Sequence, residues 1–144
     1  LMRESRELLE FIYQNAKMGE TTLPRVIGMV SRPDLRIALC SQLMEYCTIC
    51  GEAAEQLRAA GTAPRSPDGV KGAMADAMLR VEGVVGRSPR QIAERMIRGS
   101  TMGTVQMSKR IHAYRYTAGA DALALADRLL ETEENNIEQM KAFL

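Results

Sequence analysis

The residues with most scope for chemistry are two cysteines and one acid. Cys47 and Cys50 stand three apart, which puts both on one face of a helix. Such a pair can hold a soft metal ion or cycle between dithiol and disulfide. Redox work needs a lowered thiol pKa, as a helix N-terminus or a nearby cation provides. This pair lies mid-helix, so the competing reading is two small core residues. On either reading Cys40, Cys47 and Cys50 are expected to be reduced and mostly buried. Glu133 falls in an apolar stripe with Ala122, Leu123, Ala126, Leu130, Ile137 and Met140. An ionised carboxylate there without partners is very costly. Glu133 must then be protonated, hydrogen-bonded or bound to an ion. The expected antiparallel register puts Asn15, Cys47, Cys50, Ser100 and Glu133 at one depth, with Tyr13 at the edge. The competing reading is a slightly rotated last helix that carries Glu133 into water.

Other candidates are weaker. The single histidine, His112, falls on an outer helix face. The 10 methionines suggest copper or haem only if a spacing selects an axial pair, and none does. Their expected role is pliable packing. Gly19 and Gly103 each follow a methionine on a core stripe. Glycine inside a helix costs about 1 kcal/mol against alanine, so each needs a reason. Close approach of a neighbouring helix is the expected one, and a ligand slot is the alternative.

Helices must position these residues. Leu8, Phe11, Ile12, Asn15, Gly19, Thr22, Val26 and Met29 recur at steps of three and four, predicting a helix over about 5–30. Pro24 should bend or break it. Ser31-Arg-Pro33 restarts the chain with proline in a first turn. The second helix reaches about Ala60, with Leu39, Cys40, Leu43, Cys47, Cys50, Ala54 and Leu57 as its core stripe. Gly61 to Asp68 reads as the linker. A glycine-weakened third helix is expected over about 67–85. Ser88-Pro-Arg-Gln91 is a capping box that opens the fourth, running to about Tyr114. The fifth runs over about 120–143.

The chain repeats internally. Met18-Gly19 matches Met102-Gly103, and Arg25-Val-Ile27 matches Lys109-Arg-Ile111, at one offset. Glu55-Gln-Leu-Arg-Ala59 matches Glu138-Gln-Met-Lys-Ala142 at an offset one shorter. The change falls in the hairpin loop, where length varies freely. Residues 5–60 and 88–143 are therefore expected to be two copies of a helical hairpin, joined by a crossover helix in a single domain over 1–144. In topology the chain resembles a short bacterial member of the ferritin-like superfamily, an all-α antiparallel four-helix bundle. That resemblance implies a di-metal site built from core glutamates and two Glu-x-x-His motifs. Here Cys47-Thr-Ile-Cys50 stands where one such motif should lie, and Leu130 and Glu133 stand at the other. Asn15, Thr22 and Gln106 replace the remaining glutamates, while Glu20, Glu45 and Glu134 point outward.

Composition narrows the function classes. Aromatics are 4% and Trp is absent, which disfavours a β fold. The formal net charge of +1 argues for neither nucleic acid nor an acidic membrane. No apolar run approaches the roughly 20 residues of a membrane span. An odd, clustered set of cysteines fits a reducing cytoplasm. Leu1 precedes Met2, which leaves a removed leader open. The basic fourth helix (Arg87, Arg90, Arg95, Arg98, Lys109, Arg110 and Arg115 against Glu94) could bind an anion or nucleic acid. Without interleaved aromatics, charge matching to the acidic fifth helix is preferred. The expected function is thus a non-enzymatic structural or interaction protein that has kept the bundle without its di-metal site. It needs no cofactor and can self-associate through helix faces. The alternative is a metal-binding or redox protein using Cys47, Cys50 and Glu133, and nucleic-acid or anion binding ranks third.

Overall fold

A connection of three residues, 30–32, turns the chain back on itself after its first helix. Such a short link allows only antiparallel neighbours. The computed structural model describes residues 2–66 and 88–144, and the third helix expected over 67–85 lies outside them. Helix α1 spans Arg3–Met29 and α2 spans Pro33–Ala59. The Arg36 side chain closes the end of α1, donating from Nη1 to the carbonyls of Ile27 at 2.8 Å and Val30 at 2.9 Å. Of the two outcomes expected at Pro24, a bend or a break, the break does not occur, and α1 runs on through it. Pro24 sits on the exposed side, where water can take the carbonyl whose amide partner proline removes. Gly61, at φ 79°, ends α2 in a left-handed turn. Gly61 donates to Arg58 and Thr62 to Leu57, each at 2.9 Å, so the last carbonyls are satisfied.

The second hairpin pairs α3, Pro89–Tyr114, with α4, Ala120–Lys141. These are the fourth and fifth helices expected from the sequence. The capping box is present: Gln91 donates from its backbone to Ser88 Oγ at 3.2 Å, and the Ser88 amide donates to Gln91 Oε1 at 2.9 Å. Gly119 begins α4 and donates to Ser5 Oγ at 2.7 Å, tying the second turn to the start of α1.

Cross-helix contacts set the topology. Tyr114 donates to Glu7 at 2.8 Å and the Arg110 guanidinium lies 4.3 Å from the Phe11 ring centre, so α3 runs antiparallel to α1. Gln42 donates to Gln139 at 2.8 Å, and Arg128 reaches Glu45 at 2.9 Å and Glu52 at 3.0 Å, so α4 runs antiparallel to α2. The order is therefore up, down, down, up. The end of α2 and the start of α3 lie at opposite ends of an all-α bundle roughly 40 Å long at 1.5 Å per residue. In these contacts Arg110 of α3 meets α1 and Arg128 of α4 meets α2, and among the described residues no ion pair joins α3 to α4 as the sequence suggested.

The core holds Leu8, Leu9 and Ile12 from α1, Leu39, Ile49 and Leu57 from α2, Met107 and Ile111 from α3, and Leu129 and Met140 from α4. Truncating such a leucine to alanine removes about 2–5 kcal/mol. Met44 and Met102 are exposed, so the methionines are not all packing residues.

Candidate functional site

Two helices place a tyrosine and a glutamate head to head in the bundle centre. On α2, Leu35, Leu39, Gln42, Tyr46, Ile49, Ala53 and Leu57 follow one another at steps of three and four and are buried. On α4, Leu125, Leu129, Thr132, Asn136 and Met140 do the same, with Glu133 beside them. Tyr46 donates its hydroxyl to Glu133 Oε1 at 2.8 Å. Asn136 donates from Nδ2 to the Tyr46 oxygen at 3.2 Å. Buried Ser100 of α3 lies close enough to the same pair to favour the charged form of each.

Both glycines singled out in the sequence flank this pair. A Cβ on Gly19 would lie 2.6 Å from Cγ and Cδ2 of Tyr46. A Cβ on Gly103 would lie 2.9 Å from the carboxyl carbon of Glu133. So α1 opens room for the ring and α3 for the carboxylate. Close approach, the expected reason for these glycines, is the observed one.

The electrostatics follow from burial. Glu133 is 7% exposed. Loss of water raises its pKa from the ordinary 4.5 to about 7, against the opposing pull of its Tyr46 hydrogen bond and of Ser100. Burial, with the adjacent carboxylate, holds the Tyr46 hydroxyl well above its usual range, so it stays a donor. Every buried side-chain nitrogen and oxygen among the described residues has a hydrogen-bond partner. The site can therefore store one proton near neutral pH. A polar surface cleft of about 660 Å³ between α2 and α4 includes Gln42, Glu45, Arg128, Asn135, Asn136 and Gln139 in its lining. Asn136 thus lines the cleft and donates to Tyr46, which in turn donates to Glu133.

The polar layer expected from the sequence is only partly assembled. Ser100 and Glu133 meet, and Tyr46 and Asn136 complete the cluster in place of the cysteines. Asn15 is half-buried on α1. Cys40 and Cys47 are exposed, correcting the expectation that all three cysteines are buried. Cys50 is buried, with its sulfur 4.0 Å from the Tyr13 carbonyl. Burial, then Glu20, pushes its thiol up to about 11, and the same causes raise that of Cys47. Raised thiols are poor nucleophiles and poor metal ligands near neutral pH. Cys47, Cys50 and Glu133 do not converge, and among the described residues no three His, Cys, Asp or Glu side chains gather as a metal would require. A di-metal centre does not fit one carboxylate, a tyrosine, a serine and an asparagine. Gln106 and His112 are exposed, so Gln106 does not face the core as expected.

Tyr46 and Asn136 were missed because the cysteines were counted as apolar anchors of α2. That choice rotated the core stripe away from Leu35, Ala38, Gln42 and Tyr46. On α4 the same kind of error favoured Leu123, Leu130 and Ile137, which are only half-buried. The missed signal was an unbroken run of larger residues at helical spacing.

A search against family models finds no match, and neither does a search of curated proteins. Among solved structures, the chain resembles the crystal structure of a DUF305 fragment from Deinococcus radiodurans. The TM-score is 0.77 at 14% identity, over 98% of this chain and 95% of that one. What the two share is the fold. At this identity the likeness shows an all-α helical bundle and carries no activity with it.

Proposed function

We propose that this chain is a ferritin-like bundle acting as a non-enzymatic structural or interaction protein, with a proton at its centre where metal-binding relatives hold ions. The single observation that carries this reading is the Tyr46–Glu133 hydrogen bond, made by the one carboxylate of the buried cluster. The up-down-down-up order, with one long crossover between α2 and α3, supports the ferritin-like part. The three free thiols support a reducing cytoplasm. Among the described residues, no helix is long and apolar enough to cross a membrane. Elemental analysis tests the reading on protein produced with added iron, manganese and zinc, then dialysed. We expect far less than one ion per chain. About one or more ions per chain would overturn the reading, because a structural ion survives dialysis when binding and folding are coupled.

A further inference from the structure

The outer face of α2 carries no charge over four turns. Its exposed positions between Ile37 and Gly51 are Ile37, Cys40, Ser41, Met44, Cys47, Thr48 and Gly51. In a chain with 26% charged residues, a solvated helix face usually holds several charges. The largest of these side chains are fully presented: Ile37 and Met44 are each 71% exposed. Pro33, Arg36, Ile37, Cys40 and Met44 border a shallow, mostly apolar groove at its N-terminal end. The members Ile37, Cys40, Met44, Cys47 and Gly51 alternate steps of three and four, the spacing of a seam between two helices.

We infer that this face is the docking surface for a second copy of the chain, with the two α2 helices crossing antiparallel about a two-fold axis at Met44. Three features select a second copy. First, a two-fold interface needs a patch that complements itself. Reversing the helix about Met44 sets Ile37 of one copy against Gly51 of the other. A Cβ on Gly51 would meet nothing within 4 Å, so the space for that side chain is open. Second, the same operation sets Cys40 against Thr48 and Ser41 against Cys47, pairing small residues that let helices approach closely. Third, the borders are oppositely charged. Arg32 marks one end and Glu55 the other, and the reversal brings these two ends together, while Arg36 and Glu52 stay engaged with the α1 carbonyls and Arg128. The chain leaving α2 turns elsewhere, toward α1, where Arg65 meets Glu10 at 3.7 Å. The inference names a partner for the proposed interaction protein, but does not depend on what the bundle centre holds.

A contact of four helical turns falls below the roughly 1,200 Å² of a stable interface, so association is concentration-dependent. Sedimentation of the 144-residue chain over a dilution series reaching about 1 mM tests this, since weak pairs form in that range. We expect the mass to rise from 15.9 kDa toward twice that value. Met44→Glu and Ile37→Glu, both at exposed sites, should stay monomeric with unchanged helical circular dichroism. Met44→Cys, with Cys40→Ser and Cys47→Ser, should form a disulfide-linked dimer under glutathione disulfide, because that position lies on the axis. A wild-type chain still monomeric at the highest concentration would overturn the inference. So would a dimer that both glutamate variants leave intact, which would place the contact on another face. Slow thiol labelling of Cys40 and Cys47 in the monomer would also overturn it, by showing the face covered from within the chain. None of these outcomes depends on the metal analysis.

Discussion

Gly19 and Gly103 hold corresponding places in the two hairpins, yet what rests on them differs. On Gly19 lies one side of the Tyr46 ring, brought by α2 of the same hairpin. On Gly103 lies the Glu133 carboxylate, brought by α4 of its own hairpin. Each glycine lets a partner helix place a bulky group in the centre, and the two groups then meet across the bundle. The common feature is a backbone approach, which tolerates any side chain of suitable size. The difference lies in how that side chain is fixed. A ring is set by its first torsion and cannot retreat without moving its helix, whereas a carboxylate ends a flexible chain and can swing aside.

This contrast orders the expected effects of substitution. The largest belongs to the charge on the Glu133 side. In the folded chain Glu133 keeps its proton up to about pH 7, whereas in the unfolded chain it loses it near 4.5. The folded state therefore holds the extra proton between those values. Stability is lost as pH rises through that window and is level above it. Glu133→Gln removes the dependence, keeps an acceptor for Tyr46, and should stabilise the chain at pH 8 by up to about 3 kcal/mol. The gain should vanish at pH 4, and urea unfolding at the two pH values reads it.

Gly19→Ala comes next. Its methyl must displace the body of the Tyr46 ring, and overpacking of this kind costs roughly 1–3 kcal/mol. Set against the helix preference of alanine, worth about 1 kcal/mol, a net loss of up to about 2 kcal/mol is expected from thermal unfolding. Gly103→Ala should have the smallest effect, within about 1 kcal/mol, because the carboxylate can yield while alanine favours the helix. It should still lengthen the bond to Tyr46, which a changed tyrosine absorbance would report. Equal losses at both glycines would erase the distinction between a fixed ring and a yielding carboxylate.

Much of this was legible in the chain. Two hairpins and the capping box at Ser88 follow from spacing alone, because amphipathic periodicity and caps are local, whereas spacing left Glu133 open between the core and water. The cluster around Glu133 was harder to read. Its partners come from three helices, and a stripe in error by a fraction of a turn exchanges one neighbour for another. Cysteine misled most, since its type suits a core yet Cys40 and Cys47 face water on the uncharged side of α2. That outward face supplies apolar periodicity of its own, so α2 offered two stripes. Only the packing of α1 and α4 against Tyr46 distinguishes them.

The central claim is that the Glu133 carboxyl, beside the Tyr46 hydroxyl that donates to it, carries a proton of its own up to about pH 7. Carbon-13 NMR of the Glu133 carboxyl, assigned by comparison with Glu133→Gln, follows that proton directly across pH 4 to 9. The account predicts a single titration centred near pH 7. A midpoint near the ordinary 4.5, or a carboxyl whose signal does not move because an ion holds it, would contradict it.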